Sequence, residues 1–310
     1  MKRRINWMNL LWNQQGICRV NDNVYDIALS YDESLTPIEK VALYDKYGSS
    51  KSILELSRGT LKNILGRKWT GARFNPFELK NKATKILPFL KKAGINIVRY
   101  DDEEFPRGLR MIPDHPFLIY YRGNIKFDYE KSISVVGTRK PDSEGLKRTQ
   151  VFTEMLTKEK FTVVSGLALG IDAAAHYNCV INKGKTIAVL GCGIDQIYPY
   201  VNKYLARMIL DNNGGIISEY PPGTIPKKWN FPRRNRIIVG LSRSVLITQS
   251  PSKSGSIISA ILSTDYNRDL YVVSPKEECR EKDAGNIELI FSGATEVNNP
   301  KDILKEYSYC

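Results

Sequence analysis

The sequence predicts an α/β fold, a mostly parallel sheet with helices on both faces, preceded by a small N-terminal helical module. Three observations point there. From residue 95 onward, short β-branched runs alternate with stretches of helical period, the signature of parallel strands joined by crossover helices. Several of those runs are apolar throughout, as strands covered on both faces are. Strand-like runs end in "VVGTR", "VVSGLALG" and "VLGCGID". Ligands of open α/β sheets bind outside the carboxyl ends of the strands, so these turns mark the edge where function is expected.

The elements follow in order. The opening "MKRRINWMNLLWNQQG" is basic at its start, is interrupted by Asn6, Asn9 and Asn13, and has no small-residue cleavage site after it. It is not read as a signal peptide. No run approaches the ~20 apolar residues that cross a bilayer, so a cytoplasmic protein without a membrane partner is expected. Residues 31–64 are helical in pattern. Thr36 is an N-cap candidate, Pro37 fits the first turn, Glu39 completes a capping box, and Gly48 supplies a C-cap. "SKSILELS" and "TLKNILG" continue as short helices, in the manner of a helix-hairpin-helix or SAM-like unit. "RKWTGARFNPFELKNK" is basic and irregular and reads as a linker. The expected division is therefore 1–80 for the module and linker and 81–310 for the main domain. Within the latter, "INIVRY", "FLIYY", "SISVVG", "TVVSG", "TIAVLG", "GIISEY", "SVLITQ" and "LYVVS" are the strand candidates. Helices are expected over 144–159, 172–182, 202–212, 236–241 and 256–267.

The 310 residues suffice for one large domain and a smaller one, and 42% hydrophobic with 25% charged residues is an ordinary globular balance. A formal net charge of +13 favours polyanions as partners. Five cysteines are scattered, without a C-x-x-C pair, and His115 and His176 are far apart. A zinc site is disfavoured and reduced thiols are expected. Cys192, beside a glycine turn, reads as a small buried residue rather than a nucleophile.

Four stretches can carry chemistry. "VVGTRKPDSEG" follows a strand and opens a helix, but is not G-x-G-x-x-G, and no Walker sequence occurs anywhere. A dinucleotide or nucleoside-triphosphate site of the usual kind is thereby disfavoured, and no cofactor is expected. Backbone N–H groups at Gly137 and Thr138, with Arg139 beside them, could meet a phosphate. A plain tight turn with a surface arginine fits equally. In "VVSGLALGIDAAAH", Ser165 and Gly166 could donate to an anion, and Asp172 opens the next helix. Asp172 and His176 are four apart, like an acid–base pair. With no nucleophile beside them, a structural hydrogen bond is the better reading. Between Glu219 and Asp265 there is no acidic residue, while Lys227, Lys228, Arg233, Arg234, Arg236, Arg243 and Lys253 all lie there, with Trp229 and Phe231 interleaved. Cations suit phosphates, and aromatic faces suit unstacked bases. "QSPSKSGSIISA" places Ser252, Ser254 and Ser256 around Lys253 and Gly255, another seat for phosphate or sugar oxygens. No partnered base accompanies these serines, so nucleophilic catalysis is not expected.

Taken together, "FPRGLRMIPDHPFLIYYRG", "SISVVGTRKPDSEG", "TVVSGLALGIDAAAH", "GKTIAVLGCGIDQIYP", "GGIISEYPPGTIPKKWNFPRRNRIIVGLS" and "SGSIISA" closely resemble the DNA-processing protein A family (DprA, also called Smf). The resemblance spans roughly half of the chain in family order. It implies an extended Rossmann-like fold that binds single-stranded DNA without known catalysis. It also implies a role in DNA uptake and recombination, loading of a RecA-type recombinase, and a homodimer. By matching motifs, Arg139 and the "KKWNFPRRNR" stretch, with Asn235 in it, would line the strand groove, Lys228 holding phosphate and Phe231 stacking a base. Two positions depart from the family pattern: Tyr200 where a lysine usually follows "YP", and Gln249 where an acid is usual. "VVSP" replaces a usual "VPG", and the chain ends at Cys310, so no C-terminal winged helix is expected. The alternative is a nucleotide-sensing or nucleotide-processing protein of the same broad fold, including a phosphoribohydrolase-like enzyme. The latter would need a "PGGxGT" turn and a catalytic glutamate, neither of which is present at the nearest positions.

Overall fold

The computed structural model describes residues 24–69, 71, 73–275 and 281–307. The basic N-terminal stretch and Cys18, Cys279 and Cys310 lie outside the described residues. Among the described residues nine strands form one sheet: β1 (Asn96–Arg99), β2 (Leu118–Gly123), β3 (Ser132–Val136), β4 (Thr162–Ser165), β5 (Thr186–Leu190), β6 (Gly215–Ser218), β7 (Ser244–Ile247), β8 (Asp269–Val273) and β9 (Thr295–Val297). Their order across the sheet is β1-β2-β6-β5-β4-β3-β7-β8-β9. The pairings β1–β2 and β2–β6 are antiparallel and the rest are parallel. All eight sequence-predicted strands are present. β3, β4, β5 and β7 are buried at every position, which is why they read as unbroken apolar or small-residue runs.

The helices agree with their sequence signals at most ends. Thr36 caps the helix Pro37–Tyr47, its side chain accepting from the Glu39 amide while Glu39 returns the bond, and Gly48 ends it at φ 75°. Ser49 and Ser57 cap the two short helices that follow. Two expectations need correction. The stretch read as an irregular linker enters a helix at Pro76, capped by Asn75, that runs to Lys92. An asparagine before proline is a helix start even inside a basic segment. The helix expected from 236 begins at Asn230, which moves the arginines from a loop into a helix. Pro232 does not prevent this, because a first-turn residue has no intrahelical partner for its N–H anyway. The buried Ile237, Ile238, Val239 and Leu241 hold this helix on the sheet, beside Val164, Val189 and Val245.

The N-terminal helices dock on the sheet through specific contacts. Arg99 of β1 donates to Asp26 at 2.7 Å and stacks its guanidinium 4.4 Å from the Tyr44 ring centroid. Tyr31 donates to the Pro222 carbonyl at 3.0 Å. Among the described residues no helix is long and apolar enough to cross a membrane.

Candidate nucleic-acid interface

The carboxyl ends of the neighbouring strands β5, β4 and β3 build the site, with the helix Asn230–Leu241 across them. Each strand end leads into one of the turns that the sequence marks, and the turns differ in what fills them.

The turn after β4 is filled from within. The Ser165 hydroxyl donates to the Val135 carbonyl at 2.7 Å. Asp172 Oδ2 accepts from the amides of Gly166, at 3.1 Å, and Ala168, at 3.4 Å. A carboxylate of the chain therefore occupies the place where an external anion would meet Gly166. Arg234 faces it from the long helix and donates to the carbonyls of Gly166, at 2.6 Å, and Val189. A Cβ on Gly166 would come within 2.6 Å of both Asp172 Oδ2 and Arg234 Nη2, so only glycine fits there. Burial raises the Asp172 pKa, against the opposing pull of Arg234 and the two amides. Burial likewise lowers that of Arg234.

Asp172 and His176 do not bond to each other. His176 Nδ1 lies 2.7 Å from Thr186 Oγ1, whose own hydrogen goes to the Val163 carbonyl at 2.7 Å. The imidazole thus carries its proton on Nδ1 and donates. Burial drops its pKa to about 3. Cys192 is buried, as expected from its place beside a glycine, and burial raises its pKa to about 11.

The turn after β3 is different. Gly137 and Thr138 are packed: the Thr138 amide donates to the Gln249 carbonyl at 2.8 Å and its carbonyl accepts from Ile171 at 3.1 Å. Arg139, next along, is exposed. Its guanidinium lies 5.4 Å from the Phe231 ring centroid, a cation–π distance. Phe231 is half-buried. A Cβ on Gly191, at the end of β5, would come within 2.9 Å of its ring, so that glycine makes room for the phenyl group. Tyr198 completes the cluster, its ring 5.5 Å from that of Phe231 and tilted by 37°.

The basic residues divide into two sets. Arg234 and Arg236 are buried. Arg236 donates to the Asp114 carbonyl at 2.5 Å and to the Glu219 carboxylate. Burial opposes its charge, yet Glu219 and Asp114 outweigh that and raise its pKa. Lys227 pairs with Glu33 at 3.6 Å and lies 5.7 Å from the Trp229 ring centroid. Asn235 ties its helix to the next, donating to the Gly255 carbonyl at 3.3 Å and to Ser259 Oγ at 3.2 Å. Arg139, Lys228, Arg233 and Lys253 are exposed, with no ion pair among the described residues. No side chain caps the start of the helix Asn230–Leu241, but the Asn230 amide already donates to the Lys227 carbonyl at 2.9 Å and Pro232 has no N–H to offer. The serine cluster before the helix Gly255–Asp265 is internally bonded: Ser254 to Ser256 at 2.7 Å, and Ser256 to Ser250 at 2.8 Å. Lys253 is the charged side chain of that turn, and it is exposed.

Gln249 also has a physical account. Its Nε2 donates to Asp142 at 3.0 Å and to buried Asp283 at 3.3 Å, while Oε1 accepts from the Asp142 amide at 3.1 Å. An amide answers two carboxylates where an acid would repel them.

Comparison with known proteins matches this geometry to a family. The model of the family described as DNA recombination-mediator protein A covers residues 96–308. The chain belongs to this family. It is 42% identical over 210 residues to Protein Smf of Synechocystis, covering 66% of this chain and 52% of that one. It is 34% identical over 226 residues to the DNA processing protein DprA of Bacillus subtilis, covering 73% and 75%. The chain thus spans about half the length of its cyanobacterial relative. Among solved structures, DprA of Streptococcus pneumoniae superposes with a TM-score of 0.73 at 33% identity, covering 91% of this chain and 97% of that one. DprA of Helicobacter pylori, described in its single-stranded DNA binding mode, gives 0.61 at 31% identity, covering 68% and 94%. The α/β architecture expected of a DprA protein, an extended Rossmann-like sheet with helices before it, is therefore the one found. Sequence alone does not assign Gly191 and Tyr198 to the Phe231 cluster. A signal is present, since Gly191 directly follows β5 and Tyr198 comes soon after it, but nothing in spacing alone says which ring a glycine faces.

Proposed function

We propose that this chain binds single-stranded DNA along the carboxyl edge of its sheet, with no chemistry of its own. The Arg139–Phe231 pair carries the proposal: an exposed guanidinium 5.4 Å from the centroid of a half-buried ring. Lys228, Arg233 and Lys253 supply further exposed charge from the same acid-free stretch. Phosphates meet such cations and an unstacked base meets such a ring. A non-catalytic role is supported by Asp172 and His176, which are spaced for acid–base work but bonded apart, the imidazole held neutral by burial.

The relatives' names extend the proposal to DNA processing and recombination; the family resemblance adds a RecA-type recombinase as partner and a homodimer as the assembly. A homodimer fits the exposure of Ile261 and Phe291, whose helices border one groove. A cytoplasmic location fits the free thiols of Cys179 and Cys192. The test is a titration of the whole chain with labelled oligo-dT at two salt concentrations, with sedimentation of free and bound protein. Tight binding at low salt that weakens steeply as salt rises is expected. No binding at low salt, or better competition by mononucleotides than by the oligomer, overturns the reading in favour of a small-ligand protein.

A further inference from the structure

The turn and helix that follow Tyr198 carry side chains that neither the core nor the Phe231 cluster accounts for. Tyr200, Val201 and Tyr204 are 70%, 70% and 73% exposed. Large apolar side chains in water are common singly, but a group of them marks a contact surface. Here they are held in place. The short turn Tyr200–Asn202 runs directly into the helix Lys203–Asp211, so Tyr200 and Tyr204 both lie at the start of one helical segment. Asn202 fixes the turn to the sheet edge, its Nδ2 donating to the Leu167 carbonyl at 2.9 Å and the Ala168 carbonyl at 3.2 Å. Lys203 Nζ lies 5.4 Å from the Tyr200 ring centroid. From Gln196 to Leu210 there is no acidic residue; Lys203 lies there, and Arg207 pairs with Asp211 at 3.4 Å.

This segment continues the Phe231 cluster. Phe231 contacts Tyr198 at 5.5 Å between centroids, Tyr200 comes two residues later, and Tyr204 one helical turn beyond that. Aromatic rings interleaved with cations, without acids, are what a single strand needs from a surface: π faces for successive bases and charge for the backbone between them. We propose that Tyr200 and Tyr204 form a second base-stacking platform, which takes the nucleotides that run on from the base held at Phe231. The ligand class is unpaired nucleic acid, and this site rests on the reading of the Phe231 edge given above. A protein partner would also want exposed tyrosines. The lysine beside the Tyr200 ring, and the continuity of the segment with Tyr198 of the Phe231 cluster, favour the strand.

The experiment uses the full chain and two labelled probes of about 16 nucleotides, a length within reach of such sites. One is oligo-dT. The other has abasic residues in its half that extends past the Phe231 contact, in either polarity. Tyr200→Ala with Tyr204→Ala is compared with wild type and with Phe231→Ala, each checked by circular dichroism. The tyrosine pair is exposed, so the double variant is expected to fold as wild type does. It should bind oligo-dT about tenfold more weakly, in line with the loss of base stacking, and lose no further affinity on the abasic probe of the matching polarity. Tyr200→Phe, which keeps the ring, should restore binding when paired with wild-type Tyr204. Unchanged oligo-dT affinity in the double variant, while Phe231→Ala still weakens binding, overturns the platform and leaves the Phe231 site standing. A change in sedimentation without a change in DNA affinity assigns the tyrosines to a protein contact and overturns it too. If wild type itself fails to bind oligo-dT, the primary reading falls, and the platform with it.

Discussion

The turns after β4 and β3 lie side by side at one sheet edge, and both end in small residues before a helix. Yet one is closed by the chain and the other is open to the outside. After β4, the Asp172 carboxylate takes the Gly166 amide and Arg234 takes the Gly166 carbonyl. After β3, Arg139 stands in solvent with its guanidinium near the Phe231 ring. A guanidinium in the first place is an internal brace, and in the second a probe for phosphate. Arginine content alone therefore does not locate the binding surface. What separates the two roles is whether backbone carbonyls and an acid of the same chain are already within reach.

Breaking the closed turn should give the largest effect. Arg234→Ala leaves the buried Asp172 carboxylate without its cation and the carbonyls of Gly166 and Val189 without a donor. A loss of about 3–5 kcal/mol of folding stability is expected, read by urea unfolding, whereas Arg139→Ala should change stability by less than about 0.5 kcal/mol. Equal stability losses in the two variants would erase the distinction between the turns.

The next effect is one of pH. His176 has a folded pKa of about 3 against about 6.5 unfolded. Below pH 6.5 the unfolded chain takes up a proton that the folded chain refuses. The stability from this residue is complete above that pH and is lost as pH falls toward 3, at a slope of up to ~1.4 kcal/mol per pH unit. Asp172, with its raised pKa, acts in the opposite sense. The difference between wild type and His176→Gln isolates the histidine, and that difference should shrink as pH falls from about 6.5. A constant difference across the range would place His176 in solvent contact.

The smallest effect sharpens the open side. Lys228→Ala should leave folding unchanged and lower the slope of log affinity against log salt for oligo-dT by about 0.7, the value for one phosphate on a single strand. An unchanged slope would remove Lys228 from the groove.

Much of this is legible in the sequence. Alternating β-branched runs and helical stretches located eight strands, because buried parallel strands must be apolar on both faces. β9 gives no such signal, since it has three residues and Thr295 and Glu296 are exposed. The helix Pro76–Lys92 was obscured by its basic approach and by Pro88 in its interior. The site was legible at Arg139, Lys228 and Phe231 as residue types, but not in depth. Arg234 looks like Arg233 in a string of letters. Its partners are carbonyls at the ends of two other strands, and only the folded sheet brings them under the helix.

The most direct test of the central claim is a double-mutant cycle on the open turn. Oligo-dT affinity is measured for wild type, Arg139→Ala, Phe231→Ala and the double variant at one low salt concentration. Each single change should weaken binding by about tenfold, and the double variant should lose less than the sum, because ring and guanidinium act on the same nucleotide. Full wild-type affinity in both single variants would contradict the account, since no strand could then lie across the edge where Arg139 and Phe231 meet.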